Sequence, residues 1–418
     1  MNENVKISVI IPVYQVEAYL AQCLDSVLNQ KMSEIQVICI DDASPDQCPE
    51  ILDSYAQSDS RLTVIHLKEN RRQGYGRNLG LKKAKGKYIY LLDSDDMIKP
   101  ETLLELYETA EKDNLDGVFF DSEVLFEEQR FEGIDYLPGR KGKYEDKVYC
   151  GLDLFERFYE QGDWNVYIWR QFWNRQYLKR HNIRFPEATE HEDEVFSVEA
   201  TILAERVRYK AKPYAVHRYR ADSVMTRPKS PRDFHGYFKV YRELILFKER
   251  YQIHSTSYNR NLINLYELML FYYPMFKAEG KENAWFPETV LYEEYCLFSE
   301  TQLVRSMLEQ ETVNTWEPLL RFDHIYLYGA GRIARRVVAQ IRMTMLKIDA
   351  IIVTNEADNP KRFENLPVLG IKNWQPESNS VIVIAVAPNS HECISKELAN
   401  RGCAIYGYSK RSIFQIKP

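Results

Sequence analysis

Three carboxylates crowd the end of one apolar run in YIYLLDSDDMI, where Asp93, Asp95 and Asp96 follow Tyr88–Leu92. The run reads as a buried strand, and ionised acids gathered at its end repel one another. A hard divalent cation would relieve that repulsion. Two carboxylates together with phosphate oxygens complete the shell of Mg²⁺ or Mn²⁺ without an all-protein cage. The competing reading is a solvated acidic turn ahead of a helix opened near Pro100. A second acidic group stands in EHEDEVF, with Glu190, Glu192, Asp193 and Glu194 close together. Such crowding raises a carboxyl's pKa and can prepare a base for an incoming hydroxyl. It is also what a helix N-terminus favours through its macrodipole.

These groups need elements to position them. ISVIIP (Ile7–Pro12), IQVICI (Ile35–Ile40), LTVIHL (Leu62–Leu67) and the run before the acids read as strands, with helical spacing at Ala18–Leu28 and around Glu50–Ala56. Repeated βα units predict an α/β fold with a doubly wound, mostly parallel sheet and ligands at the carboxyl ends of its strands. The residues after those strands are PVY, DDAS and DSDD, all of them chemical rather than merely turn-forming. Pro12, with Val13 and Tyr14, can wall one face of a planar base. Asp41 can accept the imide N–H of uracil, a donor that cytosine lacks, while Asp42 reads as a cap for the next segment.

From about Phe234 to Leu308 the pattern is helical and rich in Tyr, Leu and Phe, with Pro274 and Pro287 as breaks, which predicts a connector or lid. HIYLYGAGRIARRVVAQIR then restarts the βα pattern, and DAIIVT, SVIVIAV and AIYGY continue it. The expected organisation is three parts: 1–228, a helical connector over 229–320, and a smaller Rossmann-like α/β domain over 321–418.

In chain order, SVIIPVYQVEAYLAQCLDSVLNQ, ICIDDASPD, GRNLGLKKAKGKYIYLLDSDD, WRQFWNRQYLKRHNIRFPE, EHEDEVF and YRADSVMT span the first 226 residues. Together they resemble the family 2 glycosyltransferases of the GT-A fold, and motifs kept in order are far more specific than a lone Asp-x-Asp. The resemblance implies an inverting, metal-dependent transfer of a sugar from a UDP-sugar to an acceptor hydroxyl. It implies donor contacts from Pro12, Tyr14, Asp41, Arg77, Asp93 and Ser223, the last with Tyr219 and Arg220 in a segment that folds over the diphosphate. Asp95 would reach a metal bridging the phosphates, with Asp96 behind it, and Asp193 would be the base. His217 could join the metal as a neutral imidazole or be structural, and Arg77 reads equally as a surface arginine. Trp169 and Trp173, four apart on an expected helix, would share one face, either as a sugar-stacking platform or in the core.

GAGRIA places Gly329, Gly331 and Ala334 after a strand and before a helix, as in a dinucleotide-binding turn. The acid that would hold a ribose is missing from the next strand end, where Asn355 stands with Glu356 one further on. Arg332, Arg335 and Arg336 crowd the helix start and could welcome an anion or solvate that face. The expectation is a structural or assembly module, with a bound nucleotide as the alternative. An NAD(P)-dependent oxidoreductase centred here leaves the first half of the chain unexplained. A non-catalytic sugar-nucleotide binding protein conflicts with an intact DSDD and Glu-Asp pair.

Composition bounds these readings. At 418 residues the chain can form two or three domains, and 45% apolar with 28% charged residues describes a soluble globular protein. A net charge of -6 supplies no basic field for nucleic acid. Seven cysteines without a CxxC suit reduced thiols in a cytoplasmic protein. The start MNENVK leads into a short run ended by Pro12, neither signal peptide nor transmembrane helix. The expected partners are a UDP-sugar donor and a glycan, glycolipid or glycoprotein acceptor, such as a capsule or an O-linked glycan of a bacterial surface protein. Homo-oligomerisation and peripheral contact with the inner face of the membrane stay open.

Overall fold

The computed structural model describes residues 5–127, 139–220, 231–278, 316–331, 333–334, 337–338, 341, 346–364, 366–409 and 412–416. The chain divides into two compact units, Met1–Pro287 and Glu288–Pro418.

In the first unit, β1 (Ile7–Val13), β2 (Ile35–Asp41), β3 (Leu62–His66) and β4 (Tyr88–Leu91) form a parallel block in the order β3-β2-β1-β4. β1, β2 and β4 are buried on both faces, which is why they read as continuous apolar runs, whereas β3 at the sheet edge buries only Leu62. The helices between them are α1 (Glu17–Leu28), α2 (Cys48–Ser58) and α3 (Arg72–Lys83). α1 buries Leu20, Cys23, Leu24 and Val27, the stripe of an amphipathic helix. α3 lies unusually close to the sheet: a Cβ on Gly80 would sit 2.3 Å from Ile10 Cγ2. That approach carries Arg77, one turn earlier, into the interior.

Beyond β4 the sheet turns mixed. Its remaining strands are β5 (Met97–Ile98), β6 (Gly117–Phe126), β7 (Val148–Tyr149), β8 (Gln171–Asn174) and β9 (Val207–Tyr219), in the order β4-β8-β6-β9-β5 with β7 also on β9. Between them run α4 (Thr102–Asp113), α5 (Gly151–Gln161), α6 (Arg175–Arg180) and α7 (Glu192–Ile202). The first unit also contains α8 (Pro231–Tyr251) and α9 (Thr256–Ala278), which pack on each other, α8 against α7 and α9 against α5.

The expected helix through Trp169 and Trp173 does not form. Trp169 lies in a short 3-10 turn, Ile168–Arg170, and Trp173 in β8, an antiparallel strand inserted between β4 and β6. Residue Trp173 pairs with Ile89 on one side and Gly117 on the other. Two ladders of backbone bonds outweigh a four-residue spacing that would equally suit a helix. Both indoles are buried, so neither offers an open face to a sugar.

The second unit has a sheet of β10 (His324–Tyr328), β11 (Ala350–Val353), β12 (Arg362–Phe363), β13 (Leu366–Gly370), β14 (Ser380–Ile384), β15 (Ala404–Ser409) and β16 (Ser412–Gln415). Strands β13-β11-β10-β14-β15 are parallel, with antiparallel edges at β12 and β16. Ile325 and Leu327 face one apolar layer, and Tyr326 and Tyr328 the other, so a second, smaller sheet with both faces covered is present. Where a ribose acid would stand, Asn355 accepts a bond from the Ala357 amide at 3.3 Å. Glu356 accepts one from the Gly370 amide at 3.2 Å. Among the described residues of both units, no helix is long and apolar enough to cross a membrane.

Candidate active site

The parallel block brings its carboxyl ends to one edge, with Val13, Asp41 and His66 in register. Pro12 is buried beneath this edge, while Tyr14 is 41% exposed and Gln15 turns the chain with φ +52°. Asp41 is buried; it accepts the Ser44 amide at 3.0 Å and meets His66 Nδ1 at 2.8 Å. His66 also faces Asp53 at 3.2 Å, and its two carboxylate neighbours, Asp41 foremost, raise its pKa. The reading of the strand ends missed His66, although it closes a strand as Val13 and Asp41 do.

Asp42 does not cap the segment that follows it. Its carboxylate reaches across to α3 and accepts the Arg71 and Arg72 amides at 2.6 and 2.7 Å, satisfying donors at that helix start. Asp46, not Asp42, accepts the Cys48 amide at the start of α2. Asp42 is buried at the junction of two strand ends and a helix, so tertiary position decides which N-terminus it serves.

Arg77 is a buried residue, only 3% exposed, and not a surface arginine. Its guanidinium donates to Asp93 at 2.8 Å, to Gln73 at 3.0 Å and to Glu192. One cation thus joins the strand-end acids to the first turn of α7.

Each of the three strand-end acids has its own cationic partner. Asp93 has Arg77, and Asp95 receives Arg220 Nε at 2.8 Å. Asp96, fully buried, meets His217 Nδ1 at 3.0 Å and accepts the Arg218 amide at 2.8 Å. The repulsion expected from crowding is therefore largely offset within the protein. Burial lifts the Asp96 carboxyl to about 6. Burial would lower the His217 pKa, but the charges of Asp96, Asp93 and Asp95 outweigh it and raise it. Trp169 stacks on His217 at 4.8 Å and on Tyr167 at 5.3 Å, which fixes the imidazole plane. Arg218 and Arg220 both lie over the Tyr19 ring, at 4.9 and 5.0 Å. Ser223 lies outside the described residues.

The α7 first turn carries Glu192, Asp193 and Glu194. Burial, then the charges of Glu192 and Glu194, push the Asp193 carboxyl well above its ordinary range, and Arg77 opposes them. Burial alone raises Glu194 to about 7. A carboxylate so raised, yet held beside a guanidinium, is suited to accept a proton.

The shared cation gives a stability prediction. Arg77→Met strands Asp93 and Glu192 together, and removing one side of a buried ion pair costs about 3–5 kcal/mol. Because Asp93 is 26% exposed, the lower end of that range is expected. Urea denaturation checks it, and an unchanged midpoint would show that water reaches all three groups.

Residues 8–186 match the description Glycosyl transferase family 2, a span that runs from β1 to just past α6. The glycosyltransferase EpsJ of Bacillus subtilis (strain 168) is 31% identical over 248 residues, which is 59% of this chain and 70% of EpsJ. Glycosyltransferase GlyA of Streptococcus pneumoniae serotype 4 is 31% identical over 221 residues, covering 52% of this chain but only 31% of GlyA. Among solved structures, S. aureus TarS 1-349 in complex with UDP-GlcNAc superposes with a TM-score of 0.52 at 21% identity, covering 74% of this chain and 81% of that one. That likeness concerns the fold. With the match in sequence running through the segments that carry Asp41, Arg77, Asp93 and Asp95, the chain is an enzyme of glycosyltransferase family 2, built on a GT-A type sheet.

Proposed function

We propose that the protein moves a sugar, with inversion, from a UDP-sugar to an acceptor hydroxyl in the synthesis of a bacterial surface glycan or O-glycoprotein. One observation carries this reading: the buried Arg77 guanidinium ties Asp93 to Glu192, beside the raised carboxyl of Asp193. Donor-side and acceptor-side acids thus face one centre.

Asp41, held in place by His66, accepts a hydrogen bond from the uracil imide N–H, and Pro12 and Tyr14 flank the base. Asp93 faces the ribose. Asp193 takes the proton from the acceptor hydroxyl as its oxygen bonds to the anomeric carbon. The bond from that carbon to the phosphate oxygen breaks, and UDP leaves with the electron pair. One base and no second nucleophile means a single displacement, hence inversion.

The residues fit a divalent cation. Asp95 offers a partly exposed carboxylate oxygen at a strand end. A metal-ligating imidazole ordinarily directs its other ring nitrogen to a carboxylate, as Nδ1 of His217 does toward Asp96. Among the described residues no group of three or more His, Cys, Asp or Glu could hold a metal alone, which suits Mg²⁺ or Mn²⁺ completed by phosphates. Asp95 and His217 would hold the ion, which when bound acts as a Lewis acid on the departing diphosphate.

A panel of UDP-sugars tested for hydrolysis, with and without Mn²⁺, checks the reading. Turnover of none, with tight binding of another nucleotide sugar, would overturn the donor assignment. For the second unit we propose a structural or assembly role. NAD should leave the melting temperature of the full chain unchanged. A rise with NAD that Gly331→Asp removes would make it a ligand site; a Cβ on Gly331 meets nothing within 4 Å, so that variant tests binding without disturbing the fold.

A further inference from the structure

The helix that bears Asp193 begins at a conformationally costly residue. His191, its N-cap, has φ +62° and makes no side-chain capping bond of its own. A residue with a side chain holds that left-handed geometry only where its surroundings over-determine it. Here they do so from two sides. From α3, Arg72 reaches Glu190 at 3.3 Å. From the first turns of α8, the Tyr237 ring stacks on the His191 imidazole at 3.9 Å with planes 16° apart. Asp233, fully buried, faces His191 Nε2 at 3.3 Å. Between them, Gly236 lets the α8 backbone close in, since a Cβ there would sit 2.7 Å from the Glu190 carbonyl oxygen and 3.0 Å from His191 Cδ2. Glu190 and His191 are pinned between two helices, and Asp193 follows two residues later.

We propose that Tyr237, Asp233 and Gly236 are positioning residues that act through His191 to aim Asp193 at the acceptor hydroxyl. The inference rests on the reading of Asp193 as the base. Anchorage of α8 itself does not need Tyr237, which is partly exposed. Phe234, Phe238 and Tyr241 are the buried residues that hold that helix down.

The test uses the full chain and the UDP-sugar hydrolysed fastest among UDP-glucose, UDP-galactose, UDP-GlcNAc and UDP-GalNAc. Misplacing a catalytic group by about an ångström can cost up to roughly a hundredfold, so Tyr237→Ala should lower kcat about tenfold. KM and the calorimetric affinity for UDP should stay within about twofold, and Tyr237→Phe, which keeps the stack, should match the wild type. Added to Asp193→Asn, Tyr237→Ala should cost nothing further, because a residue acting through the base has nothing left to aim. If the alanine variant does not fold, Tyr237→Leu, which keeps bulk but not the ring stack, takes its place. Normal kcat in Tyr237→Ala, an equal loss of UDP affinity, or a full further loss in the double variant would overturn the clamp. An inactive Asp193→Asn beside a normal Tyr237→Ala condemns the clamp alone. An active Asp193→Asn condemns the base reading, and the clamp as stated with it.

Discussion

Asp95→Ala abolishes sugar transfer and UDP-sugar hydrolysis while the protein still melts cooperatively. Asp95 is the strand-end acid that pairs with Arg220. The pair is 15% and 20% exposed, so its loss lowers the melting temperature, but Arg220 keeps its place over the Tyr19 ring. The fold therefore persists while the oxygen proposed to ligate the cation is gone. Excess EDTA should silence the wild type, and Mn²⁺ or Mg²⁺ should restore it. Asp96→Asn makes the contrast, since Asp96 touches His217 and the Arg218 amide rather than the diphosphate edge. Its loss should be graded rather than complete. Full activity in excess chelator would remove the metal from the reaction.

Asp193→Asn keeps the shape of the side chain but cannot take a proton, so kcat should fall by at least about a hundredfold, the usual worth of a general base. Calorimetric UDP affinity should hardly change, because the proposed base would work on the acceptor side. The pH profile supplies an independent check. Burial and the charges of Glu192 and Glu194 raise the Asp193 pKa, and Arg77 holds it down. A base is active only when deprotonated, so activity falls as the pH drops through that raised value. The acid limb should lie well above the ordinary carboxylate range, and Arg77→Met should move it higher still. Near-normal kcat in Asp193→Asn beside a dead Glu192→Gln would transfer the role to the neighbouring carboxylate.

The order of strands and helices in the first hundred residues is written locally. Apolar runs at Ile7–Pro12, Ile35–Ile40 and Leu62–Leu67 become strands Ile7–Val13, Ile35–Asp41 and Leu62–His66, because burial and chain period act on neighbouring residues. The acids at the strand ends are legible for the same reason, and the ordered motifs identify the family. The sequence by itself thus determines the parallel strands of the first hundred residues, the edge they form and the residue types on it. Only the tertiary structure decides which charge meets which. Arg77 reaches Glu192 from 115 positions away, and Arg220 reaches Asp95 from 125. Asp42 caps α3 instead of α2, and His66 joins Asp41, through strand register and not sequence proximity. Trp173 enters a strand because β4 and β6 both offer it backbone partners. Ion pairs and ladders form between groups that the sheet order brings together, and that order depends on packing summed over the whole unit.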